Sequence, residues 1–374
     1  MTQTIQSKAV WVMAKGYAPD EGGMQTYARA VAEAYAAAGA SVTVFTSTSA
    51  GPRDTVFGPV RLVDVGPERG FTMYRRYVAA LRRERRRHGE PALLHATTWR
   101  TSVVPTLLGF SCVVTFHGRE FMYPKGWKRW LMTRVARRAR RVVAVSQYSA
   151  EALQRRIPGL AMLPLVAWNG VTPGLLRREP QDTGQDPPLV FSLCRLEPRK
   201  NLNAALVAAA ACRDEGLRLR FVIGGRGPEF ERLRATIARL GLQEVVELAG
   251  FVANERALEL YRDADIFIHP QVTRDGGRDF EGFAIAIADA MYARTAVIIG
   301  RDGGPRELIE DGVSGLFVDG NDQDSVTSAL RRLLRDTSLR RSLAAAAGAR
   351  AELEFDWNRH VATIMENSLA KENP

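Results

Sequence analysis

Short apolar runs alternate with stretches of helical period along most of this chain. Residues 10–14 (Val10-Trp11-Val12-Met13-Ala14) read as a first strand, 16–23 as a loop, 24–38 as a helix with apolar residues at helical spacing, and 40–46 as the next strand. The same rhythm returns further on. Val113-Val114-Thr115-Phe116 is a buried-looking strand. Phe191-Ser192-Leu193 is an apolar run ahead of a cationic loop and a helix. Ile266-Phe267-Ile268-His269 is a strand ahead of a Gly/Asp/Arg-rich loop at 273–279. Strands alternating with helices predict parallel sheets covered by helices on both faces. A length of 374 residues exceeds one comfortable core and calls for two such domains. Residues 172–188 are rich in Pro, Gly, Gln, Arg and Asp, carry no apolar period after Leu176, and read as the linker. The expected layout is 1–175 as the first domain, 176–355 as the second, and 356–374 as a closing helix.

The densest chemistry lies in Asp279-Phe280-Glu281-Gly282-Phe283-Ala284-Ile285-Ala286-Ile287-Ala288-Asp289. Read as one helix beginning at Glu281, it sets Glu281 and Asp289 about 80° apart in azimuth and about 12 Å apart along the axis. Both acids then face one cleft. The N–H groups of Phe283, Ala284 and Ile285 fall at the helix mouth, where they would attract an anion. An acid, anion-binding amides and a second acid suit a sugar, a diphosphate and a ribose in a row.

This stretch resembles the E-G-F-G-x4-E signature of the retaining glycosyltransferases of family 4, which have the GT-B fold. Two positions depart from it: Ala284 replaces the second Gly and Asp289 the second Glu. Ala keeps the backbone donor and is expected to cost little sterically; Asp keeps the charge but is one methylene shorter. Other segments follow the family's order. Arg195-Leu196-Glu197-Pro198-Arg199-Lys200-Asn201 resembles its G-R-L-x3-K-(G/N) motif, with Cys194 at the Gly. Gly303-Gly304-Pro305-Arg306-Glu307 opens a segment like its G-G-x-x-E-x-I-x-D-G. Val222-Ile223-Gly224-Gly225-Arg226-Gly227-Pro228 and Leu248-Ala249-Gly250-Phe251-Val252 match two strand-to-loop turns, and the first is not a dinucleotide fingerprint, because it lies mid-chain and carries Pro228. In the first half, Pro19-Asp20-Glu21-Gly22-Gly23 resembles the family's P-x2-G-G loop. His117 follows a strand, where ligands of open α/β sheets bind, and stands where the family often has a His. His88, His95, His269 and His360 have no such position. Val145-Ser146 and Trp168-Asn169-Gly170-Val171 match two further turns. Together the motifs run from about residue 10 to residue 320.

Charge changes the picture in one respect. Residues 1–175 hold 25 Lys/Arg against 10 Asp/Glu, and the remainder 27 against 31. The whole positive excess therefore lies in the first half, concentrated at 75–87 and 125–141. In the latter segment Trp127, Trp130, Leu131, Val135 and Ala139 recur at helical spacing among Arg and Lys. That pattern suits a helix lying on an anionic bilayer, and equally a packed helix with a solvated basic face. Nucleic acid is not expected: no binding motif is present, and the basic segments lack stacking aromatics. No run of about 20 apolar residues spans a membrane, and polar first residues leading into a strand give no signal peptide. Cys112, Cys194 and Cys212 fit reduced thiols in a cytosol. Asp263-Ala264-Asp265 looks like a metal-binding D-x-D, but the resemblance places it at the family's A-D-(I/V)-F strand, so no metal is expected.

The resemblance implies two Rossmann-like doubly wound domains facing a central cleft, with the last helix crossing back to the first domain. The acceptor would bind the first domain and the nucleotide-sugar donor the second. Arg195 and Lys200 would neutralise the donor diphosphate, aided by the amides of Gly22, Gly23, Phe283, Ala284 and Ile285. Glu281 would orient the sugar, Asp289 hold the ribose, Val252 touch the base and His117 sit near the sugar. The implied activity is metal-independent transfer of a hexose from a UDP- or GDP-linked donor with retained configuration, and no cofactor beyond that donor. The basic first half favours a lipid-linked or membrane-surface glycan acceptor in cell-surface polysaccharide assembly. The reduced thiols fit a cytoplasmic location, and the basic first half adds peripheral contact at the inner face of the membrane. A soluble small-molecule acceptor, a non-catalytic sugar-nucleotide binder and an epimerase of the same fold remain as alternatives.

Overall fold

The computed structural model describes residues 8–20, 22–67, 70–176 and 186–369. The chain divides into two compact units, Met1–Gly170 with Asp356–Pro374, and Val171–Phe355. Residues 171–175 thus group with the second unit, where the sequence layout gave them to the first. Of the expected linker, residues 177–185 lie outside the described residues.

Among the described residues the first unit holds eight strands: β1 Ala9–Met13, β2 Ser41–Thr46, β3 Arg53–Phe57, β4 Val60–Asp64, β5 Leu93–Ala96, β6 Cys112–Phe116, β7 Arg141–Ala144 and β8 Leu165–Val166. Their order is β3-β4-β2-β1-β5-β6-β7-β8, parallel except for the antiparallel β3–β4 pair. The chain winds outward from β1 in both directions, so the topological switch point lies between β1 and β5. Their register pairs Met13 with Ala96 at the carboxyl ends. The helix Gly23–Ala37 follows β1, and its buried residues include Tyr27, Val31 and Tyr35. The helix Trp357–Leu369 packs against it, with Trp357, His360, Val361, Ile364 and Met365 buried. Its entry is tight: a Cβ on Gly170 would lie 2.5 Å from the Trp357 ring.

Among its described residues the second unit is built on six parallel strands: β9 Leu189–Leu193, β10 Arg220–Gly224, β11 Val246–Gly250, β12 Ile266–His269, β13 Ala296–Gly300 and β14 Leu316–Val318. Their order is β11-β10-β9-β12-β13-β14, with the switch point between β9 and β12. Every residue of β12 and β13 is buried. That is why these strands read as unbroken apolar runs: helices cover both faces of a parallel sheet. Ile266, Ile268 and Ile298 share one core with Leu206 of the helix Leu202–Asp214 and Leu330 of the helix Gln323–Arg335. Both units are doubly wound parallel sheets.

Asp265 has a structural task here. Its backbone N–H donates to Leu189 O at 2.8 Å, and its carboxylate accepts from Leu189 N at 2.9 Å, pinning the start of β12 to β9. Gly225 marks the close approach of two loops, for a Cβ there would sit 1.8 Å from Cys194 O. The glycines of that segment therefore serve chain packing.

Candidate active site

The loop after β9 carries the cations. Pro198 starts a 3-10 turn over Pro198–Lys200, and Asn201 ends it at a φ of 53°. Asn201 then donates to Pro270 O and Gly320 O, at 3.2 and 2.6 Å. This clamp sets Arg199 and Lys200 at the switch point, beside the carboxyl end of β12. Lys200 forms an ion pair with Glu281. Arg199 pairs with Glu197 and approaches Asp279 at 3.7 Å and Glu281 at 3.5 Å. Burial alone would raise the Glu281 carboxyl, but Lys200 and Arg199 more than offset it and hold it at about 2. Glu281 is fixed from behind as well. Its carbonyl accepts from Gly304 N at 2.9 Å. A Cβ on Gly303, whose φ is +78°, would meet that carbonyl at 2.7 Å.

Two residues of this cluster were not singled out from the sequence. Arg199 is one position from Lys200 in the same motif, so a cationic loop was legible but not which cation points inward. Arg195 is the outward one: its side chain is 77% exposed and pairs with Glu197 at 3.2 Å. The other is His269, fully buried at the end of β12, with Nε2 at 3.4 Å from Lys200 Nζ. A strand ending in a lone His gives no local sign of its partner.

The helix entry differs from expectation. The helix is Ile285–Tyr292, with Ala284 as its N-cap at a φ of 66°. Glu281 and Phe283 precede it, so Glu281 and Asp289 do not share one helix, and of the three amides only Ile285 is in its first turn. Nor is Ala284 sterically cheap, because it occupies the left-handed region that disfavours a Cβ. Asp289 is buried inside the unit. Its two oxygens accept from Thr172 N and Thr172 Oγ1, each at 2.7 Å. Burial, opposed by those bonds, pushes its carboxyl up to about 7. Val252 lies beside Gly224, where an added Cβ would be 2.8 Å from its Cγ2. Its neighbour Phe251 is half exposed under the Arg226 guanidinium, 4.7 Å from the ring centre.

The first unit presents its own set. Gly22 caps the helix Gly23–Ala37, and its carbonyl accepts from Gln25 N and Thr26 N. His117 follows β6. Its ring Nε2 lies 2.8 Å from Thr97 O and so carries a proton, while the backbone N–H of His117 donates to Glu120 Oε1 at 2.6 Å. Burial lowers its pKa, which keeps the ring neutral and leaves Nδ1 as an acceptor. The ring packs edge-on against Tyr27, 4.6 Å between centres. Tyr27 Oη lies 3.0 Å from both Thr115 Oγ1 and His360 Nε2. Thr115 Oγ1 is in turn 2.8 Å from His95 Nε2. Burial lowers His95 to about 3 and His360 to about 4, so both are neutral. These two histidines, assigned nothing from the sequence, are joined from strand and closing helix around the residue that backs His117.

Residues 21–171 match the family described as Glycosyltransferase Family 4, and residues 177–350 the one described as Glycosyl transferases group 1. A GDP-mannose-dependent alpha-(1-6)-phosphatidylinositol monomannoside mannosyltransferase of Mycolicibacterium smegmatis is 32% identical over 48% of this chain and 47% of its own length. An amylovoran biosynthesis glycosyltransferase of Erwinia amylovora is 31% identical over 52% of this chain and 47% of its own length. The chain thus spans about half the length of these curated relatives. Among solved structures, the Anabaena protein HepE in complex with UDP-glucose superposes with a TM-score of 0.74 at 21% identity, over 96% of this chain and 99% of that one. That likeness fixes the architecture as GT-B.

Proposed function

The chain belongs to glycosyltransferase family 4, and from that premise we propose that it transfers a hexose from a nucleotide-diphosphate sugar to an acceptor hydroxyl. The observation that carries this reading is the buried cluster of Lys200, Arg199 and Glu281 at the switch point of the second unit. A carboxylate held ionised can accept from sugar hydroxyls, and the adjacent cations can stabilise a departing diphosphate. Such preorganised charge is commonly a large part of catalysis. The C1–O bond to the diphosphate breaks while the acceptor oxygen bonds C1 on the same face, its proton passing to the leaving phosphate oxygen. Configuration is thereby retained, with Lys200 and Arg199 serving where other transferases use a metal. His117 Nδ1 is suited to accept from a substrate hydroxyl on the first unit.

The donor is UDP- or GDP-linked in this reading; the relative named above uses GDP-mannose, and HepE binds UDP-glucose. The acceptor is a lipid-linked or membrane-surface glycan, as the basic first unit favours. One observation supports a rival, a binder that does not transfer. Asp289, expected at the ribose, already has both oxygens on Thr172.

Thermal-shift measurements with UDP, GDP, ADP and their hexose derivatives, with and without EDTA, test the reading. A ligand at 100 times its dissociation constant stabilises by about 2.7 kcal/mol. One nucleotide should stand out and EDTA should not matter. With that donor, Lys200→Ala and Arg199→Ala should each lower turnover by orders of magnitude. Unchanged turnover in both overturns the site, and tight donor binding without release of nucleotide diphosphate favours the binder.

A further inference from the structure

Gln271, two residues beyond the end of β12, reaches back along the carboxyl edge of the sheet. Its Nε2 donates to Gly300 O at 2.6 Å and Asp302 O at 3.1 Å. Both acceptors are backbone carbonyls, so the orientation of this amide is fixed by its neighbours. Its Oε1 then accepts from Gly300 N at 3.2 Å and faces His269 Nδ1 at 2.8 Å. An acceptor at Nδ1 requires the proton there. Burial lowers the ring to about 4, so it is neutral; the other ring nitrogen, Nε2, then carries a lone pair, and it points at Lys200 Nζ. The ring is held flat as well, parallel to Phe267 with centres 6.4 Å apart. Lys200 has three ammonium protons. Glu281 takes one and His269 a second, which aims the third.

We propose that His269 is a positioning residue, locked by Gln271 as the Nδ1–H tautomer so that its Nε2 lone pair orients Lys200 toward the phosphates of a nucleoside diphosphate. The inference rests on the donor reading above. Its chemistry is a buried relay from the backbone at the carboxyl end of β13, through an amide and an imidazole, to the cation. A lysine on a flexible four-carbon stem, paired with Glu281 alone, could swing with that carboxylate. A second, neutral acceptor at the end of β12 fixes its direction without adding charge.

Two measurements on the full chain test this. The first is long-range proton–nitrogen correlation on protein labelled with 15N-histidine, with the His269 signals assigned by their loss in His269→Gln. They should show a neutral ring protonated at Nδ1. A ring protonated at Nε2, or a mixture of tautomers, overturns the proposal. The second is UDP and GDP binding by calorimetry. Phe fits the stacked site without an acceptor, so His269→Phe should weaken whichever nucleotide the wild type binds by about tenfold, the scale of one hydrogen bond to a charged group. His269→Gln, which returns an acceptor near the Nε2 position, should recover most of that loss. Equal affinity in His269→Phe and wild type overturns the positioning role. If the wild type binds neither nucleotide, the donor reading fails, and the tautomer measurement still decides the state of His269.

Discussion

Ala284 holds a φ of 66° at the entry of the helix Ile285–Tyr292, where its Cβ crowds the backbone. A left-handed conformation costs an L-residue about 1–2 kcal/mol, and glycine escapes that penalty. Ala284→Gly should therefore raise the unfolding free energy by about 1 kcal/mol, less the entropy that glycine adds to the unfolded chain. Denaturant melts of the two proteins would show it, and a destabilised variant would mean that the methyl packs better than the backbone suffers. The same residue marks a limit of sequence reading. The apolar period across Phe283 to Ile287 fits a helix begun at Glu281 as well as one begun at Ile285. Only the backbone angle of Ala284 separates the two. Arg195 and Arg199 present a similar limit: both are arginines in one short loop, and the turn closed by Asn201 decides which is buried.

At the scale of elements, the carboxylate of Asp289 ties the helix Ile285–Tyr292 to Thr172 at the start of the second unit. Asp289 has an ordinary value of 3.8 and stands near 7 when folded, raised by burial. A folded-state value above the unfolded one means that the protonated form is favoured by folding. That contribution is full below about pH 3.8 and is lost as pH rises through 7. Asp289→Asn should flatten this part of the profile: between pH 4 and 8 its melting temperature should fall less than that of the wild type. Parallel curves would show that the carboxyl titrates normally. The strand β12 was plain in the sequence, because it is covered on both faces and consists almost wholly of apolar residues. The network around Tyr27 was not, since Tyr27 and His360 are separated by 333 positions and no local period links them.

For the whole molecule, the uneven charge now has a location. The helix Gly126–Arg138 buries Met132, Val135 and Ala136, while Trp127 and Trp130 are 69% and 62% exposed. The five-residue stripe read from the sequence is thus split, with Val135 inside and the two tryptophans outside. Lys128 lies over the Trp127 ring and Arg134 over Trp130, at 5.7 and 5.5 Å. Among the described residues no helix is long and apolar enough to cross a membrane. On an anionic bilayer each nearby cation would contribute about 1 kcal/mol. Sedimentation with phosphatidylserine vesicles should fall in Trp127→Ala/Trp130→Ala and in high salt, and unchanged sedimentation in the double variant would remove this helix from the contact. A different consequence follows from the closing helix Trp357–Leu369, which belongs to the first unit although the whole second unit precedes it in the chain. During synthesis, the seat for His360 beside Tyr27 must wait while the ribosome makes the intervening unit, about 10–40 s at ordinary elongation rates. The unit whose sequence is translated first is thus the last to be completed.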